Sequence, residues 1–412
     1  MKDYLDGVGG RPIQPAAQQG QAAYGVKGHL PRRLRKILSL ADFELAARGY
    51  LPRPLFGYIS GAAEDNTSLA ANRTAFERLK FCPKVLVDVS RRSQKTTIFG
   101  ETYSSPFGIA PVGISAISAY RGDITLARAA KDENIPAIMS GSSLIPMETV
   151  HAAAPGTWFQ AYLPGDTTRI DALIDRIKTA GFSTLVITVD IPVWANRENN
   201  VRTGFSLPLR PSFRLAVDGI SRPRWLLETF LRTLVKHGMP HFENSFATRG
   251  APMLSASAIR DTTGRDHLSW PDIARIRERW HGNLVIKGIL HADDAKRAVS
   301  IGADGIIISN HGGRQLDGAV DPLHVLPQIC DAVGDKTVVM MDSGIRRGGD
   351  VLKALALGAQ FVFVGRPFMY AAAVGGEPGV RHGISLLRDE VDRNMAMLGV
   401  PTIGEIDGGI LA

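Results

Sequence analysis

The peptide Gly305-Ile306-Ile307-Ile308-Ser309-Asn310-His311-Gly312-Gly313-Arg314-Gln315-Leu316-Asp317 determines how the rest of the chain is interpreted. Its apolar, β-branched beginning is typical of a strand buried on both faces. The polar loop that follows holds one titratable base, His311, one guanidinium, Arg314, and two glycines that let the backbone approach a ligand. If the histidine stood alone, this loop could be an ordinary solvated surface loop. Here a base and an anion-binding group lie three residues apart at a strand end, which favours a site that removes a proton from a small carboxylate-bearing molecule.

Short apolar runs alternate with helical patterns from Pro106 onward. The predicted strands are residues 107–110, 137–139, 158–161, 185–189, 284–286, 305–309, 338–341 and 361–364. The predicted helices between them include residues 123–134, 168–180, 270–280, 291–301 and 350–357. Eight strands alternating with helices predict a (β/α)8 TIM barrel of the α/β class, and not a doubly wound sheet.

Polar side chains follow every predicted strand except the first, which ends in backbone-rich Pro111-Val112-Gly113. In order, the later strands end in Ser140, in Gln160 and Tyr162, in Thr188 and Asp190 with Arg197 beyond, in Lys287, in the His311 loop, in Asp342, and in Gly365-Arg366. Barrel enzymes place their chemistry at the carboxyl ends of the strands, so we expect these side chains to surround one site.

The last two strand ends predict a phosphate site. Gly344 and Arg346 follow the seventh strand, and Gly365 and Arg366 follow the eighth. Glycine has no side chain and so leaves backbone N–H groups accessible to an anion, and an arginine guanidinium can bind two phosphate oxygens at once. Barrels often bind phosphate at these two loops, so a phosphorylated cofactor or substrate is expected.

The motif at residues 309–317 resembles the active-site loop of the FMN-dependent L-2-hydroxy acid oxidase and dehydrogenase family, which includes glycolate oxidase, L-lactate dehydrogenase and mandelate dehydrogenase. The resemblance runs from about Ser39 to the C-terminus. It implies an FMN-binding barrel domain at residues 39–412 and the oxidation of an L-2-hydroxy acid to the 2-oxo acid. Residues 1–38, which are rich in Gly, Gln and Ala, are interpreted as a terminal arm that departs from the usual start of this family. Residues 39–79 show a helical pattern broken at Pro52 and Pro54, which predicts an N-terminal helical extension of the barrel.

The resemblance also implies roles for individual residues. His311 would be the base oriented by Asp190, Arg314 and Arg197 would hold the substrate carboxylate with Tyr58, and Tyr162 would contact its hydroxyl. The implied FMN-binding residues are Pro111, Val112, Gly113, Ser140, Gln160, Thr188, Lys287, Ser309, Asp342, Gly344, Arg346, Gly365 and Arg366. Among them, Lys287 would approach the N1–O2 edge of the flavin, and Arg346, Gly365 and Arg366 its phosphate.

A basic insertion occupies about residues 204–250, between the fourth and fifth strands. It holds seven Lys or Arg residues against three acids, and residues 225–236 show an amphipathic helical pattern with Leu227, Phe230, Leu231 and Leu234 on one face. The pattern suits an anionic membrane surface, and a helix packed on the barrel or on a neighbouring subunit is the equal alternative.

This segment and Gly113 resemble the bacterial mandelate and lactate dehydrogenase branch, which implies a homotetramer and electron transfer to a quinone or another carrier such as a cytochrome. An oxygen-reducing oxidase is the alternative.

Chain length, net charge and cysteine content limit which other classes of protein and which cellular compartments fit the sequence. The chain of 412 residues has a net charge of +8 and only two distant cysteines, Cys82 and Cys330, which fits a reducing compartment such as the cytoplasm. No signal peptide or membrane-spanning run is present, so attachment to the inner face of the cell membrane would be peripheral. His237 and His241 are spaced as two metal ligands on a helix would be. Pro240 lies between them and argues against a continuous helix, so we expect no metal. A non-catalytic membrane-surface or nucleic-acid-binding protein is the rival class, but the basic segment lacks interleaved aromatics, so no nucleic acid is expected.

Overall fold

Eight parallel strands form the centre of the molecule in a computed structural model that describes residues 30–206, 213–255 and 265–412. The barrel strands are β3 (Phe107–Ile109), β4 (Ile138–Ser140), β5 (Trp158–Ala161), β6 (Thr184–Thr188), β7 (Asn283–Ile289), β8 (Gly305–Ile308), β9 (Val338–Met341) and β10 (Phe361–Val364). They pair in the order β3-β10-β9-β8-β7-β6-β5-β4, and a parallel bridge between Ile109 and Ala137 closes the ring. The predicted (β/α)8 barrel is confirmed.

The helices follow the strands as the alternating pattern predicted. Before the barrel lie α1 (Leu40–Tyr50), α2 (Arg53–Ser60) and α3 (Thr67–Arg78). The remaining helices are α4 (Ser115–Ser118), α5 (Gly122–Asp132), α6 (Met147–Ala153), α7 (Thr167–Thr179), α8 (Glu198–Thr203), α9 (Phe213–Ile220), α10 (Pro223–Trp225), α11 (Arg232–His237), α12 (Trp270–Arg279), α13 (Ala292–Ser300), α14 (Pro322–Val333), α15 (Gly348–Ala356) and α16 (Arg366–Leu398). Short 3-10 turns lie at Arg32–Leu34, Arg265–His267, Ile403–Glu405 and Gly408–Ile410.

The barrel strands are buried on both faces, and β8 illustrates why. Ile307 packs inside the barrel, while Ile306 and Ile308 pack against the surrounding helices, and all three are fully buried. Each such side chain contributes about 1.5–3 kcal/mol by leaving water. A hairpin of β1 (Thr96–Ile98) and β2 (Glu101–Tyr103) adds Ile98 to the inner core, with Phe99 against Trp158. The run of three isoleucines therefore holds the loop that follows β8 on a rigid support.

The described end of the N-terminal arm is docked on the barrel. Leu34 and Ile37 are buried in the main core, although the arginines and lysine beside them are exposed. The predicted helical region that begins at Ser39 is present, because Ser39 caps α1 and Pro52 precedes α2. Residues 1–29 of the arm lie outside the described residues.

The insertion forms a helical segment over the residues for which an amphipathic helix was predicted. A π-helical turn at Leu226–Leu231 joins α10 to α11. Trp225 and Thr229 are buried, with Phe230 against the core, whereas Leu227 is 61% exposed and Leu231 40%. The predicted apolar face is therefore divided, because Phe230 packs against the core while Leu227 and Leu231 are exposed, and the membrane-facing and barrel-packed alternatives both stay predictions. Within the described ranges no helix has the length and hydrophobicity to cross a bilayer.

Candidate active site

A histidine and a carboxylate from two loops meet at the catalytic end of the barrel. Residues 309–310 carry the chain from β8 to His311, whose φ of 56° turns it back over the barrel end. The His311 Nδ1 lies 3.0 and 3.2 Å from the two carboxylate oxygens of Asp190, which follows β6. A carboxylate can only accept, so Nδ1 carries the proton and Nε2 is left as the basic nitrogen.

The charges around this pair keep the imidazole neutral at pH 7. Burial lowers the pKa of His311 below its ordinary 6.5, and Lys287 and Arg197 add to that effect while Asp190 opposes it. Burial raises the pKa of Asp190, but the positive charges at His311 and Lys287 outweigh burial and hold it below its ordinary value. A neutral imidazole beside an ionised carboxylate is the protonation state that a general base requires.

Two arginines reach the same place from different loops. Arg314 donates from Nη1 to the carbonyl oxygens of Tyr58 and Gly61, each at 2.8 Å, and its guanidinium lies 4.9 Å from the centre of the Tyr58 ring. Arg197 donates to the Arg314 carbonyl at 3.0 Å and to the Gln315 side chain. These bonds tie the loop after β8 to α2 and to the loop after β6, so both guanidinium groups are held in place.

The two predicted tyrosines line the same cavity as the histidine. The Tyr162 ring stacks against the His311 ring with centroids 6.5 Å apart. Tyr58 comes from α2, is 9% exposed and packs against Phe205 at 4.5 Å. Both phenols line the cavity that holds His311, where polar groups of a bound molecule would meet them.

A buried lysine network lies beneath the histidine loop. Lys287 Nζ donates to the Ser309 hydroxyl at 2.8 Å and pairs with Asp342 at 3.0 Å. Although burial lowers the pKa of Lys287, Asp342 and Asp190 outweigh it and raise the pKa, so the lysine is charged. The next residue, Gly288, has φ of 108°, and a Cβ there would lie 2.7 Å from the Asp190 Cβ. Glycine at this position lets the lysine strand and the Asp190 loop approach each other.

The phosphate site predicted after β9 and β10 is strongly electropositive. Arg366 donates to the carbonyls of Ile59, Gly61 and Gly312, and Arg346 to that of Ile345. Burial, with Arg314 and Arg346 nearby, lowers the pKa of Arg366 to about 9. Within the described residues no carboxylate forms an ion pair with either guanidinium. Their concentrated charge, still facing the cavity, fits a dianionic phosphate.

Buried polar atoms at the strand ends could hydrogen-bond the polar edge of a cofactor ring. Ser140 donates its hydroxyl to Gln160 at 3.2 Å, which leaves the Gln160 amide nitrogen buried without a hydrogen-bond partner. The Thr188 hydroxyl is also buried without one. Orphaned donors of this kind are costly in an apolar interior. Together with the arginines after β9 and β10, they satisfy the requirements of a phosphorylated cofactor with a hydrogen-bonding ring, as the resemblance to FMN proteins implies.

Most of the predicted residues line one cavity at the carboxyl ends of the strands. They are Tyr58, Pro111, Val112, Gly113, Tyr162, Arg197, Lys287, His311, Arg314, Asp342, Gly344, Arg346, Gly365 and Arg366. The others, Ser140, Gln160, Thr188, Asp190 and Ser309, do not line it, although Asp190 and Ser309 bond residues that do.

Further lining residues were not predicted. Ile191, Trp194 and Ser343 also line the cavity, and each lies within four residues of a predicted side chain at a strand end. Their closeness to a predicted strand end is the sequence feature that would have identified them. Arg265 is buried, with its guanidinium 5.8 Å from the Tyr162 ring centre, but it lies far along the chain from any strand end and had no such signal.

The described residues contain no group of three His, Cys, Asp or Glu side chains that suits a metal ion. The His237 ring bonds the Tyr120 hydroxyl at 2.9 Å, and the His241 ring lies 2.9 Å from the Gly250 carbonyl. The two imidazoles therefore face separate partners. The expectation of no metal stays a prediction.

Three comparisons with known proteins agree with this geometry. The family model described as FMN-dependent dehydrogenase matches residues 47–412. (S)-Mandelate dehydrogenase of Pseudomonas putida is 36% identical over 370 residues, which is 90% of this chain and 92% of that protein. L-Lactate dehydrogenase of Caulobacter sp. (strain K31) is 39% identical over 384 residues, which is 91% of this chain and 98% of that protein.

Solved structures show the same likeness in three dimensions. The crystal structure of the monotopic membrane protein (S)-mandelate dehydrogenase superposes with a TM-score of 0.84 at 35% identity, covering 92% of this chain and 99% of that chain. A mandelate oxidase structure gives a TM-score of 0.74 at 36% identity, covering 91% of this chain and 98% of that chain. The likeness extends over nearly the whole of both chains. The protein therefore belongs to the FMN-dependent dehydrogenases and is an oxidoreductase whose cofactor is FMN.

Proposed function

We propose that the protein oxidises an L-2-hydroxy acid of the lactate or mandelate type to the corresponding 2-oxo acid. The observation that carries this proposal is the convergence of the His311–Asp190 pair with Arg197 and Arg314 on one cavity. A 2-hydroxy acid brings a carboxylate for the arginines and a proton for the base, so its functional groups match the site. The relatives named for mandelate and lactate support the same substrate class.

The two arginines and two tyrosines would bind and orient the substrate. Arg314 and Arg197 form forked hydrogen bonds to its carboxylate. Their existing bonds to backbone carbonyls and to Gln315 hold them in advance, which reduces the entropy lost on binding. Tyr58 adds a hydrogen bond to the carboxylate, and Tyr162 bonds the substrate hydroxyl beside the His311 ring.

His311 would act as the general base. Its Nε2 takes one proton from the substrate, from Cα or from the hydroxyl, and the imidazole becomes a cation. Asp190, 3.0 Å from Nδ1, holds the ring orientation and stabilises that cation. The neutral resting state that burial imposes on His311 makes Nε2 available at pH 7.

FMN would be held by the remaining predicted residues, and it accepts the two electrons that leave the substrate. We assign its phosphate to Gly344, Arg346, Gly365 and Arg366, its ribityl chain to Asp342, and its ring to Pro111, Val112, Gly113, Ser140, Gln160, Thr188, Lys287 and Ser309. The charged Lys287 stabilises negative charge at the adjacent ring edge. The buried Gln160 and Thr188 atoms supply the hydrogen bonds that this edge needs.

Anaerobic reduction of the bound flavin tests the proposed reaction. The purified yellow protein is mixed with a panel of L-2-hydroxy acids, and loss of the flavin absorbance is followed. We expect bleaching by L-lactate or L-mandelate and little by their D-enantiomers, which serve as matched controls of identical charge and size. Protein that retains FMN but is bleached by no L-2-hydroxy acid would refute the proposed function.

We also propose that the protein sits on the inner face of the cell membrane by peripheral contact through the insertion, about residues 204–250. Exposed apolar side chains support this, since Phe213 is 87%, Leu227 61% and Val235 85% exposed. Basic residues lie beside them, and Arg33 of the arm at residues 1–38 approaches Glu228 at 3.7 Å. Apolar side chains flanked by cations suit an anionic lipid surface.

Vesicle sedimentation tests the membrane proposal. The Leu227→Gln/Val235→Gln double variant should lose binding to vesicles that contain anionic lipid. A matched control, Leu45→Gln/Met397→Gln, removes two apolar residues of similar exposure elsewhere and should bind as the unmodified protein does. Equal binding by both variants would remove the insertion from this role.

We further propose a homotetramer, on the basis of the family resemblance. The exposed apolar loop formed by Val85, Leu86 and Val87 supports self-association, because Leu86 is fully exposed with φ of 59°. Light scattering of the purified protein measures the assembly directly. A monomeric mass at micromolar concentration would rule the tetramer out.

A further inference from the structure

Asp317 ends the loop at residues 309–317, called the catalytic loop below, and the reaction proposed above gives it no role. Its carboxylate reaches the start of α3. Oδ2 accepts from the backbone N–H groups of Asp65 and Thr67, each at 3.1 Å, and Oδ1 accepts from that of Ser68 at 2.8 Å. These partners lie 249 to 252 residues earlier in the chain. Asp317 therefore joins the catalytic loop to a helix that precedes the barrel.

The first turn of α3 depends on this carboxylate. Asn66 occupies the N-cap position with a left-handed φ of 63°, and its side chain makes no capping hydrogen bond to the helix. The Asn66 Oδ1 instead accepts from the Ala62 N–H at 2.9 Å. The first N–H groups of a helix have no partner within the helix, and the helix dipole favours a negative charge beside them. Asp317 supplies both the acceptor and the charge.

The bonds from Asp317 to α3 are bonds to an ionised group. Burial raises the pKa of the Asp317 carboxyl, but the backbone N–H groups of Ser68 and Thr67 outweigh burial and hold the pKa below its ordinary value. The carboxylate is therefore charged at pH 7. Hydrogen bonds to a charged group are about twice as strong as those between neutral groups.

The catalytic loop also contacts the segment before α3, the α2–α3 linker at residues 61–66. The Ala63 N–H donates to the Gly313 carbonyl at 2.9 Å. The Ser68 hydroxyl, just beyond the linker, lies 3.3 Å from the Leu316 carbonyl. A Cβ at Gly313, where φ is 75°, would lie 2.6 Å from the Leu69 backbone nitrogen. The two segments are therefore packed directly against each other.

The end of α2 and the linker hold Arg314, the arginine assigned to the substrate carboxylate. Its Nη1 donates to the Tyr58 and Gly61 carbonyls at 2.8 Å each. Binding of a carboxylate by both arms of a guanidinium needs the group to be held within about 0.5 Å of its productive position. A shift of the linker relative to the catalytic loop would therefore move Arg314 out of that position.

The histidine end of the catalytic loop has anchors of its own. The His311 N–H donates to the Ser309 hydroxyl at 3.0 Å, and the ring is held by Asp190. The side-chain amides of Asn310 and Asn72 exchange two hydrogen bonds, at 2.9 and 2.7 Å. Loss of the Asp317 bonds would therefore disturb Arg314 more than His311.

We propose that Asp317 is a positioning residue for the substrate carboxylate, because it fastens the catalytic loop to α3 and the α2–α3 linker and so holds Arg314 in its binding orientation. The inference rests on the proposed function, which assigns the carboxylate to Arg314. Asp317 is outside the set of described residues that line the cavity around His311. It therefore acts through Arg314 and does not touch the substrate.

Asp317→Ala tests this role, and Asp321→Ala is the matched control. Asp321 lies four residues further on, is half-buried like Asp317, and caps its own helix α14 by accepting from the His324 N–H at 2.9 Å. Its replacement removes a helix-capping carboxylate but no bond to α3 or to the linker. Ser68→Ala removes the hydroxyl that faces Leu316, and it keeps the test available if Asp317→Ala does not fold.

Anaerobic bleaching of the holoenzyme by L-lactate or L-mandelate is measured over a range of substrate concentrations. In Asp317→Ala, the concentration that gives half the maximal rate should rise at least about tenfold, while the maximal rate stays within about threefold. Ser68→Ala should raise this concentration about threefold, because a bond between neutral groups contributes less. Asp321→Ala should match the unmodified protein in both quantities.

Oxalate binding gives a second readout that involves no chemistry. Oxalate is a small dicarboxylate with no hydrogen to transfer, and its binding is followed by the change in flavin absorbance. Asp317→Ala should weaken oxalate binding by the same factor of about ten as it raises the half-maximal substrate concentration. The FMN content of every variant should be unchanged.

Each outcome supports or overturns the positioning role. Equal half-maximal concentrations and equal oxalate affinities in Asp317→Ala and Asp321→Ala would overturn it. A fall in maximal rate or FMN content larger than the rise in half-maximal concentration would also overturn it, because general loosening affects the whole site. If no L-2-hydroxy acid bleaches the unmodified protein, the proposed function fails, and oxalate binding by the variants still decides whether Asp317 positions a carboxylate site.

Discussion

Replacing Asp190 by Asn should slow substrate oxidation because the carboxylate charge, and not only its hydrogen bond, stabilises the imidazolium of His311. Asn keeps the size of the side chain and an amide oxygen that accepts from Nδ1. The lost quantity is the attraction between two opposite charges whose closest atoms are 3.0 Å apart and whose side chains are largely buried.

The size of the loss follows from this geometry. With charge centres about 4 Å apart and an effective dielectric constant of about 20, the attraction is worth about 4 kcal/mol. A full loss corresponds to about 10³-fold in rate. The retained hydrogen bond is worth about 1 kcal/mol, so we expect a decrease of about 10²–10³-fold.

Stopped-flow bleaching of the flavin under anaerobic conditions measures this rate directly. The pH profile gives a second, independent readout. Asp190 raises the pKa of His311, so its removal should move the acid limb of the bleaching rate to lower pH even as the maximum rate falls. The FMN content, measured from absorbance, should be unchanged. A decrease below about tenfold, or an unmoved acid limb, would refute the charge argument.

Three further predictions concern separate parts of the molecule. His311→Gln should lose about 10²–10⁴-fold in turnover while keeping FMN, because it removes the general base; near-normal turnover would exclude His311 as the base. Arg366→Gln should weaken FMN binding about 10–100-fold in equilibrium dialysis, since a charge-assisted hydrogen bond is worth about 1.5–3 kcal/mol; unchanged affinity would place the phosphate elsewhere. Burial raises the pKa of Asp123 from 3.8 to about 6, so its ionisation destabilises the folded state as pH rises through that window. Asp123→Asn should therefore raise the free energy of unfolding at pH 7 by up to about 3 kcal/mol relative to its effect at pH 3.5, measured by urea titration; an equal effect at both pH values would contradict this.

Local sequence signals were sufficient for the barrel strands and for most of the cavity. The strands could be predicted from apolar runs such as Ile306-Ile307-Ile308, because a continuous apolar run indicates a strand buried on both faces whatever it packs against. The site followed from one topological rule, because parallel strands in a closed barrel deliver their carboxyl ends to the same rim. Polar residues just beyond those ends, such as Lys287 and Asp342, had to face one another once the barrel closed.

Features that depend on distance across the barrel were not available from the sequence. Arg265 reaches the Tyr162 ring from a segment with no strand before it. The sequence predicted the helical segment of the insertion but not the π turn at Leu226–Leu231, which regular 3.6-residue spacing does not anticipate, nor that Leu227 and Leu231 are exposed while Trp225 and Thr229 are buried.

The amino-acid sequence alone determined which side chains stand at the strand ends, because hydrophobic periodicity and chain order specify the strands and therefore their carboxyl termini. Only the tertiary structure decided which of those side chains touch. Asp190 and His311 are 121 residues apart, and their contact depends on strand register, on the left-handed turn at His311 and on the close approach that Gly288 permits. The cavity between the insertion and the loops after β3 and β4 was likewise decided by packing, because its walls come from segments that are remote in the chain.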